Sequence, residues 1–322
     1  MIAEPRVLHV NDCASTTTHL LAEAHRQGLP WRYLPLADRS RGGTVLAGAR
    51  WAAELGVGAA RSDLLHVHYA SVPRHTRWTR RPWVLHAHGT DVRSQQYEPR
   101  WTAPIRDALR AADHVYYSTP DLAEHVLPHR PDAGYLPNPL DVDALPVHDP
   151  ATAAGVFFAS RWEPVKGLAA QLDLARALRA ALPADVELLG LDWGPAADEA
   201  RAAGVRLVPR SAREEFLRRL AAARVVVGQR SGMLAASELE AIGTGVPVVA
   251  AVNPAWYPDD AVDAHPPVLG GAGAGTDDLV EAVRSALTES AAPSGREWLR
   301  RTHDVGDSVR RLRTDYRRVL GS

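Results

Sequence analysis

The sequence predicts an α/β protein built from two doubly wound parallel-sheet domains. Short apolar runs alternate with amphipathic segments along nearly the whole chain, a pattern typical of parallel strands covered by helices. The alternation stops at Pro137-Asn-Pro139 and the Asp- and Pro-rich stretch Asp141–Pro150, as in an interdomain linker. It then resumes, and 322 residues are enough for two separate cores.

The first half contains six apolar runs that we predict as strands. They are Arg6–Val10, Trp31–Leu36, Leu64–His68, Trp83–His88, His114–Ser118 and Gly134–Leu136. A helix is expected between the first two, because the segment begins with hydroxyl residues from Ser15 and ends at Gly28. This half, residues 1–148, is predicted to form an N-terminal domain on the acceptor side.

The second half repeats the pattern with five predicted strands. They are Gly155–Ala159, Val186–Gly190, Val205–Val208, Val225–Gly228 and Val246–Ala251. Residues 149–295 are therefore assigned to a second domain. Residues 296–322 are predicted as a terminal, Arg-rich helix, expected to pack back on the N-terminal domain. In two such domains the carboxyl ends of both sheets are expected to face a shared cleft, which is where ligands bind in this kind of sheet.

Composition excludes several classes of protein. Hydrophobic residues make up 46% and charged residues 23%, with a formal net charge of -1 and a pI near 6.9. Such a balance gives no reason to expect a nucleic-acid partner. Cys13 is the only cysteine, so neither an intrachain disulfide nor a cysteine zinc site is possible. No signal peptide or transmembrane stretch is predicted, and the expected location is the cytoplasm.

Lys166 is the first candidate site residue. It is the only lysine among 37 lysine and arginine residues, and a compact ammonium fits tight sites that a planar guanidinium does not enter. It lies between the predicted strand Gly155–Ala159 and the helix that follows, at the usual ligand edge of a parallel sheet. Arg161 is in the same loop, and two cations at that place suit a diphosphate.

A second candidate region begins at Gly232. A loop of small residues there precedes a short helix whose N-terminus can face the same phosphates, and Glu240 lies on that helix. A carboxylate beside a phosphate site is explained if it accepts hydrogen bonds from hydroxyl groups, such as a ribose diol. The alternative for Glu240 is an ordinary solvated helix residue, although the apolar residues around it favour burial.

Six motifs in order along the chain resemble one protein family. They are Asp63-Leu-Leu-His-Val-His68, Leu85-His-Ala-His-Gly-Thr-Asp91, Ser118-Thr-Pro-Asp-Leu122, Leu136-Pro-Asn-Pro-Leu-Asp141, Ser160-Arg-Trp-Glu-Pro-Val-Lys-Gly167 and Glu240-Ala-Ile-Gly-Thr-Gly-Val-Pro-Val-Val249. Together they make the chain similar to the family 4 retaining nucleotide-sugar glycosyltransferases. That family has the GT-B fold, two Rossmann-like domains facing a cleft.

The resemblance implies an activity and a set of site residues. It implies transfer of a sugar from a UDP- or GDP-linked donor to a hydroxyl acceptor, with retention, without a metal and with no cofactor besides the donor. By position, the resemblance implies that Arg161 and Lys166, with Met233 and Leu234, contact the donor diphosphate. It implies that Glu240, Pro209 and Arg210 contact the nucleoside, and that His88 and Gly232 contact the donor sugar. The catalytic set that it implies is His88, Arg161 and Lys166.

The chain departs from the family pattern at two places. Gly232 stands where family members usually carry a second glutamate, and Glu238 is offset from Glu240 so that it points elsewhere on a helix. The first loop, residues 11–17, lacks the glycines usual in the family. Two alternatives therefore stay open: a nucleotide-sugar epimerase, hydrolase or pseudo-glycosyltransferase on the same fold, and a catalytically inactive nucleotide-sugar-binding protein.

Three other features are given structural explanations. His66 and His68, like His86 and His88, have strand spacing that places both members of a pair on one face. Four clustered imidazoles raise the possibility of zinc, but we expect no metal, with His66 and His86 as core histidines and His88 at the site. The Asp141-Val-Asp143 pair lies in the linker and is not expected to bind metal. The basic, aromatic stretch 74–83 is interpreted as a solvated segment, so membrane contact, although open, is not predicted.

Overall fold

The computed structural model describes residues 4–37, 44–257, 265–288 and 295–321, and it shows the predicted alternation of strands and helices. Its strands are β1 (Val7–Val10), β2 (Trp31–Leu34), β3 (Leu64–His68), β4 (Trp83–Ala87), β5 (His114–Tyr117), β6 (Gly134–Tyr135), β7 (Ala154–Phe158), β8 (Leu188–Leu191), β9 (Arg206–Val208), β10 (Ala223–Val227), β11 (Val248–Val252) and β12 (Leu269–Ala272).

Helices follow most of these strands. They are α1 (Thr16–Arg26), α2 (Thr44–Ala60), α3 (Thr90–Arg93), α4 (Pro99–Ala111), α5 (Ala123–Val126), α6 (Leu168–Ala181), α7 (Ala197–Ala202), α8 (Arg213–Ala222), α9 (Ala236–Thr244), α10 (Thr276–Thr288), α11 (Gly295–Thr302) and α12 (Val305–Val319). In the described ranges, no helix has the length and apolar character needed to cross a membrane.

The chain divides into two compact units. Unit 1 comprises residues 1–140 and 303–322, and unit 2 comprises residues 141–302. Each unit has a six-stranded sheet in which every described strand pairing is parallel. Two Rossmann-like doubly wound domains are thus present, as the strand–helix alternation predicted.

The strand orders of the two sheets fix where each can bind a ligand. In unit 1 the order is β2-β1-β3-β4-β5-β6, so the direction of winding reverses between β1 and β3. In unit 2 the order is β12-β11-β10-β7-β8-β9, and the reversal lies between β7 and β10. Loops that leave the carboxyl ends of strands at such a reversal separate from each other and leave a crevice.

The unit boundaries differ from the predicted boundaries at 148/149 and 295/296. The linker segment belongs to unit 2 because it packs there. Leu145 lies against Gly243, where an added Cβ would be 2.3 Å from its Cδ1, and the His148 backbone N–H donates to the Thr244 carbonyl at 2.8 Å. Arg296 of α11 donates to the Gly243 carbonyl at 2.7 Å, so that helix is also part of unit 2.

The predicted terminal helix is two helices, and only the second belongs to unit 1. A short connection ends α11 at Thr302, and Asp304 caps α12 by accepting a hydrogen bond from the Asp307 backbone N–H at 2.9 Å. The face of α12 that meets the sheet carries Tyr316, which is fully buried and packs edge-on against Trp31. Residues distant in sequence therefore complete the core of unit 1.

Five histidines from three adjacent strands stack inside unit 1. They are His9 on β1, His66 and His68 on β3, and His86 and His88 on and directly after β4. The rings of His66 and His68 are nearly parallel, with centroids 4.3 Å apart, and His66 is hydrogen-bonded through Nδ1 to the Tyr316 hydroxyl. Burial disfavours the charged imidazole and lowers the pKa of His9 and His86 to about 3.

We expect the buried histidines to make the protein sensitive to acid. Above the unfolded-state pKa of about 6.5, both states are neutral and the histidines add no pH dependence. As the pH falls below that value, only the unfolded state gains the proton. Each such histidine then removes about 1.4 kcal/mol of stability per pH unit until its folded pKa is reached. Urea denaturation followed from pH 7.5 to pH 5 should show this fall.

A pair of variants separates this effect from general acid sensitivity. His86→Leu should reduce the slope of the unfolding free energy against pH by about 1.4 kcal/mol per unit, whereas His75→Gln, at an exposed histidine, should leave it unchanged. Equal slopes in the two variants would contradict the assignment.

Candidate functional site

The loop after β7 contacts the loop after β10, at the reversal of winding in unit 2. A single turn over Pro164–Lys166 ends at Gly167, whose φ of +74° is a left-handed conformation that favours glycine. A Cβ at Gly167 would lie 2.5 Å from the Arg230 carbonyl oxygen. The Arg230 backbone N–H also donates to the Lys166 carbonyl at 3.0 Å. Lys166 and Arg230 are therefore neighbours in the fold.

Arg161, at the start of the same loop, is placed by two contacts. Its Nε forms an ion pair with Glu163, and its guanidinium carbon lies 5.3 Å from the centre of the Trp193 ring. The guanidinium carbon of Arg210 lies 4.4 Å from the centre of the same indole ring, which is in the loop after β8. Both arginines gain a cation–π contact, and the predicted nucleoside residue Arg210 shares a ring with the predicted diphosphate residue Arg161.

Trp162 holds the loops after β7 and β8 together. Its side chain is fully buried, and its indole N–H donates to the Leu191 carbonyl at 3.0 Å. Its backbone N–H donates to the Trp193 carbonyl at 2.9 Å. Gly194 has a φ of +116°, and a Cβ there would come within 2.4 Å of the Trp162 carbonyl oxygen. The position of Trp193 beside Arg161 therefore depends on a buried anchor and a glycine.

The loop from Gly232 to Leu234 is held by hydrogen bonds to Asn253 and Tyr257. Gly232 has a φ of +82°, and its carbonyl accepts from the Asn253 N–H at 2.8 Å. The side chains of Met233 and Leu234 are buried, so only their backbone can meet a ligand. In the structure the Leu234 N–H donates to the Tyr257 hydroxyl at 3.1 Å. A phosphate at Leu234 would have to replace that bond.

Glu238 and Glu240, both on α9, accept hydrogen bonds from different partners. Glu238 is fully buried and accepts backbone hydrogen bonds from Gln229 and Ala235, each at 2.9 Å, so it fixes the start of the helix to the loop after β10. Glu240 is nearly buried, and Arg213 donates to its Oε1 at 2.6 Å. Burial raises the pKa of Glu240, while Arg213 opposes that rise. The predicted different direction of Glu238 is confirmed.

In unit 1, Asp91 determines the backbone position of His88. This carboxylate is fully buried and accepts hydrogen bonds from the backbone N–H groups of Ala70 at 2.7 Å, Gly89 at 2.9 Å and His88 at 3.2 Å. The bonds join the ends of β3 and β4. Burial raises the pKa of Asp91, and the backbone bonds counteract that shift.

The side chain of His88 belongs to a chain of imidazoles. His88 Nε2 lies 2.9 Å from His68 Nδ1, and His68 Nε2 lies 3.1 Å from His9 Nδ1. Such a chain fixes the tautomers of its members together, because each ring that donates at one nitrogen accepts at the other. His9 also belongs to this chain of imidazoles, although the sequence pattern indicated only the His-x-His pairs.

The same histidines form two triads whose ligand nitrogens lie within 4.8 Å of one another. An imidazole binds a metal ion along a lone pair in the plane of its ring. The planes of His66 and His68 are only 7° from parallel, so the two rings as placed cannot both direct a lone pair at one ion. The stacking of His66, in the triad with His9 and His68, supports its interpretation as a core histidine.

The loop after β1 has left-handed backbone conformations without glycine. Asn11, Ala14 and Ser15 have φ values of 73°, 53° and 59°, and Tyr69 in the loop after β3 has 84°. Conformations of this kind are uncommon for residues with a Cβ and cluster at functional sites. The glycine-free first loop thus adopts the shape that glycines would allow, beside the reversal of winding in unit 1.

Several site residues were given no role from the sequence. Glu163, Trp193 and Arg213 each contact a predicted residue, but each becomes relevant only through a fold contact. Glu163 was within the quoted motif, and its charge next to Arg161 was the available signal. Arg230 had no signal at all, since it is one arginine among many. The structure brings Arg161, Lys166 and Arg210 into connected loops of unit 2, and it places His88 in unit 1.

No protein-family model matches the sequence, and no curated protein matches it either. Solved structures do share its fold, and they include glycosyltransferases. The Anabaena protein Alr3699/HepE, solved in complex with UDP and glucose, has a TM-score of 0.70 at 14% identity, covering 97% of this chain and 99% of that one.

Two further solved structures share the fold. AviGT4, a glycosyltransferase involved in avilamycin A biosynthesis, has a TM-score of 0.66 at 19% identity, with 98% of each chain covered. A structure described as a UDP-N-acetylglucosamine 2-epimerase from Listeria monocytogenes has a TM-score of 0.60 at 14% identity, covering 98% of this chain and 96% of that one. At these identities the likeness establishes the fold.

We expect Gly167→Ala to destabilise unit 2 more than a glycine change made at open space. The new methyl group would meet the Arg230 carbonyl in a backbone conformation that already disfavours alanine, for a total of roughly 2–5 kcal/mol. Gly245→Ala has a similar φ but nothing within 4 Å, so it should cost about 1–2 kcal/mol. Urea denaturation measures both, and equal losses would show that the contact between the two loops is unimportant.

Proposed function

We propose that the protein is a glycosyltransferase that moves a sugar from a nucleotide diphosphate donor to a hydroxyl acceptor. One observation carries the proposal. The loops at the reversal of winding in unit 2 join Lys166 to Arg230, and Arg161 lies in the first of them. Cations at the carboxyl edge of a Rossmann-like sheet are suited to a diphosphate.

The solved structures favour uridine as the first base to test. HepE has been solved with UDP and with UDP-glucose, and it shares this fold over almost the whole chain. We therefore propose a UDP-linked sugar as donor, with a GDP-linked sugar as the second choice. In this assignment Glu240 accepts hydrogen bonds from the ribose hydroxyls, and Pro209 and Arg210, both exposed after β9, lie beside the base.

The proposed chemistry needs charge stabilisation at the leaving group. As the bond between the anomeric carbon and the diphosphate oxygen breaks, negative charge grows on the diphosphate, and Arg161 and Lys166 stabilise it electrostatically. The backbone of Met233 and Leu234 would line the same diphosphate. These cations can perform the neutralising task that a metal performs elsewhere, which supports a metal-independent reaction.

Retention of configuration rests on the motif resemblance alone. In the proposed step the acceptor oxygen bonds to the anomeric carbon on the face that the diphosphate leaves. The acceptor proton passes to the departing phosphate oxygen. His88 is proposed to contact the donor sugar, with its tautomer determined by His68 and His9. Gly232 is proposed to lie at the sugar with no side chain to direct toward it.

A nucleotide-sugar epimerase is the second candidate, since the Listeria epimerase structure shares the fold. The two reactions differ when the donor is supplied alone. A transferase should leave most of the donor intact until a hydroxyl acceptor is added, whereas an epimerase or hydrolase should convert it. Binding without any conversion would instead favour a catalytically inactive binding protein.

We expect Lys166→Ala to reduce turnover by about 10²- to 10³-fold, because it removes a charge that stabilises the leaving diphosphate. Lys166→Arg should recover only part of the activity, since a guanidinium differs in shape from an ammonium. The measurement is release of UDP from UDP-glucose in the presence of a panel of hydroxyl acceptors.

The control is Arg176→Gln on α6, an exposed arginine paired with Asp173, which should keep wild-type turnover. Unchanged turnover in Lys166→Ala would remove Lys166 from the catalytic set. Absence of any reaction in the wild type with UDP- and GDP-sugars and all acceptors would contradict the transferase proposal itself.

A further inference from the structure

Arg230 is a cation without a counter-ion in the part of the chain that the structure describes. Its Nη1 is excluded from solvent and has no hydrogen-bond partner there. Burial lowers the pKa of its guanidinium, and no acidic group contributes to that shift. Charged groups that lose water without gaining a partner are unfavourable, so this arrangement suits a residue whose partner is a bound anion.

The next residue shows the same property. The hydroxyl oxygen of Ser231 is also excluded from solvent and has no hydrogen-bond partner among the described residues. A hydroxyl and a guanidinium both donate hydrogen bonds, and an anion with several oxygens can accept from both. Two consecutive residues with unmatched donors indicate a place for such an anion.

The position of Arg230 in the fold indicates which kind of anion it binds. It follows β10, and β10 pairs with β7 at the point where the winding of unit 2 reverses. Its backbone N–H is bonded to the Lys166 carbonyl at 3.0 Å, so it belongs to the same loop pair as the two predicted diphosphate residues. Arg161 differs from Arg230 in having an acidic partner, Glu163.

We propose that Arg230, assisted by the Ser231 hydroxyl, is a third cationic residue of the donor diphosphate site. This inference rests on the proposed function, because it assigns Arg230 to the same nucleotide site. It goes further in naming a residue that neither the motifs nor the resemblance contains. Arg230 then recognises the diphosphate and contributes nothing to recognition of the nucleoside.

Calorimetric titration of UDP, UMP and uridine into full-length protein tests the proposal. Arg230→Gln should weaken UDP binding about 10- to 100-fold, as expected for loss of a hydrogen-bonded charge pair. The loss should be smaller for UMP, and uridine binding should not change. Ser231→Ala should weaken UDP binding less than Arg230→Gln.

A second readout distinguishes ligand binding from a structural role. Without ligand, Arg230→Gln should melt at the wild-type temperature or above it, because the variant removes an unpaired, half-buried charge and keeps the backbone bond to Lys166. The control is Arg224→Gln on β10, the strand that precedes Arg230; the Arg224 guanidinium donates to the Pro150 carbonyl at 2.8 Å. That variant should bind UDP as the wild type does.

Three outcomes would overturn the inference. Wild-type UDP affinity in Arg230→Gln would show that the arginine does not meet the diphosphate. Parallel loss of UDP and uridine binding, or a lower melting temperature without ligand, would show a structural role. If wild-type protein binds neither UDP nor GDP, the proposed function fails first; if the wild type binds and only the Arg230 prediction fails, the proposed function stands.

Discussion

The structure of the candidate site depends on one close approach, between the main chain at Gly167 and the main chain at Arg230. The two residues lie in loops that leave adjacent parallel strands at the reversal of winding in unit 2. Only a residue without a Cβ fits at Gly167, given its positive φ and the 2.5 Å that would separate a Cβ from the Arg230 carbonyl. This approach makes Lys166 and Arg230 neighbours, although they are 64 positions apart in the sequence.

The charges of Arg161 and Arg230, and the burial of Arg230, determine what can bind where the two loops meet. Arg161 has both an ion pair with Glu163 and a contact with Trp193, whereas Arg230 is half-buried without an acidic partner in the described chain. Arg230 therefore brings a positive charge without an acidic partner among the described residues to the loop before α9, and Glu238 ties the start of that helix to the same loop. An anion bound there would satisfy donors that the protein leaves unmatched.

Sequence reasoning was most successful where periodicity and order along the chain carry the information. All six strands of unit 1 and five of unit 2 were predicted, because buried parallel strands form short apolar runs. The sixth strand of unit 2, Leu269–Ala272, was missed since two of its four residues are glycines, which lack β-propensity. Contacts between loops could not be predicted from the sequence. The Trp193 stack, the Arg213–Glu240 pair and the role of Arg230 all arise from loops that meet only after folding.

The central claim is that the loops after β7 and β10, with the start of α9, form the site for a nucleoside diphosphate. Hydrogen–deuterium exchange of the wild-type protein with UDP tests it most directly, because binding slows the exchange of backbone amides that it orders or covers. Saturating UDP should slow exchange in residues 160–168 and 228–236, and uridine at the same concentration should change it little there. Protection confined to other segments, or equal protection by uridine, would contradict a diphosphate site in these loops.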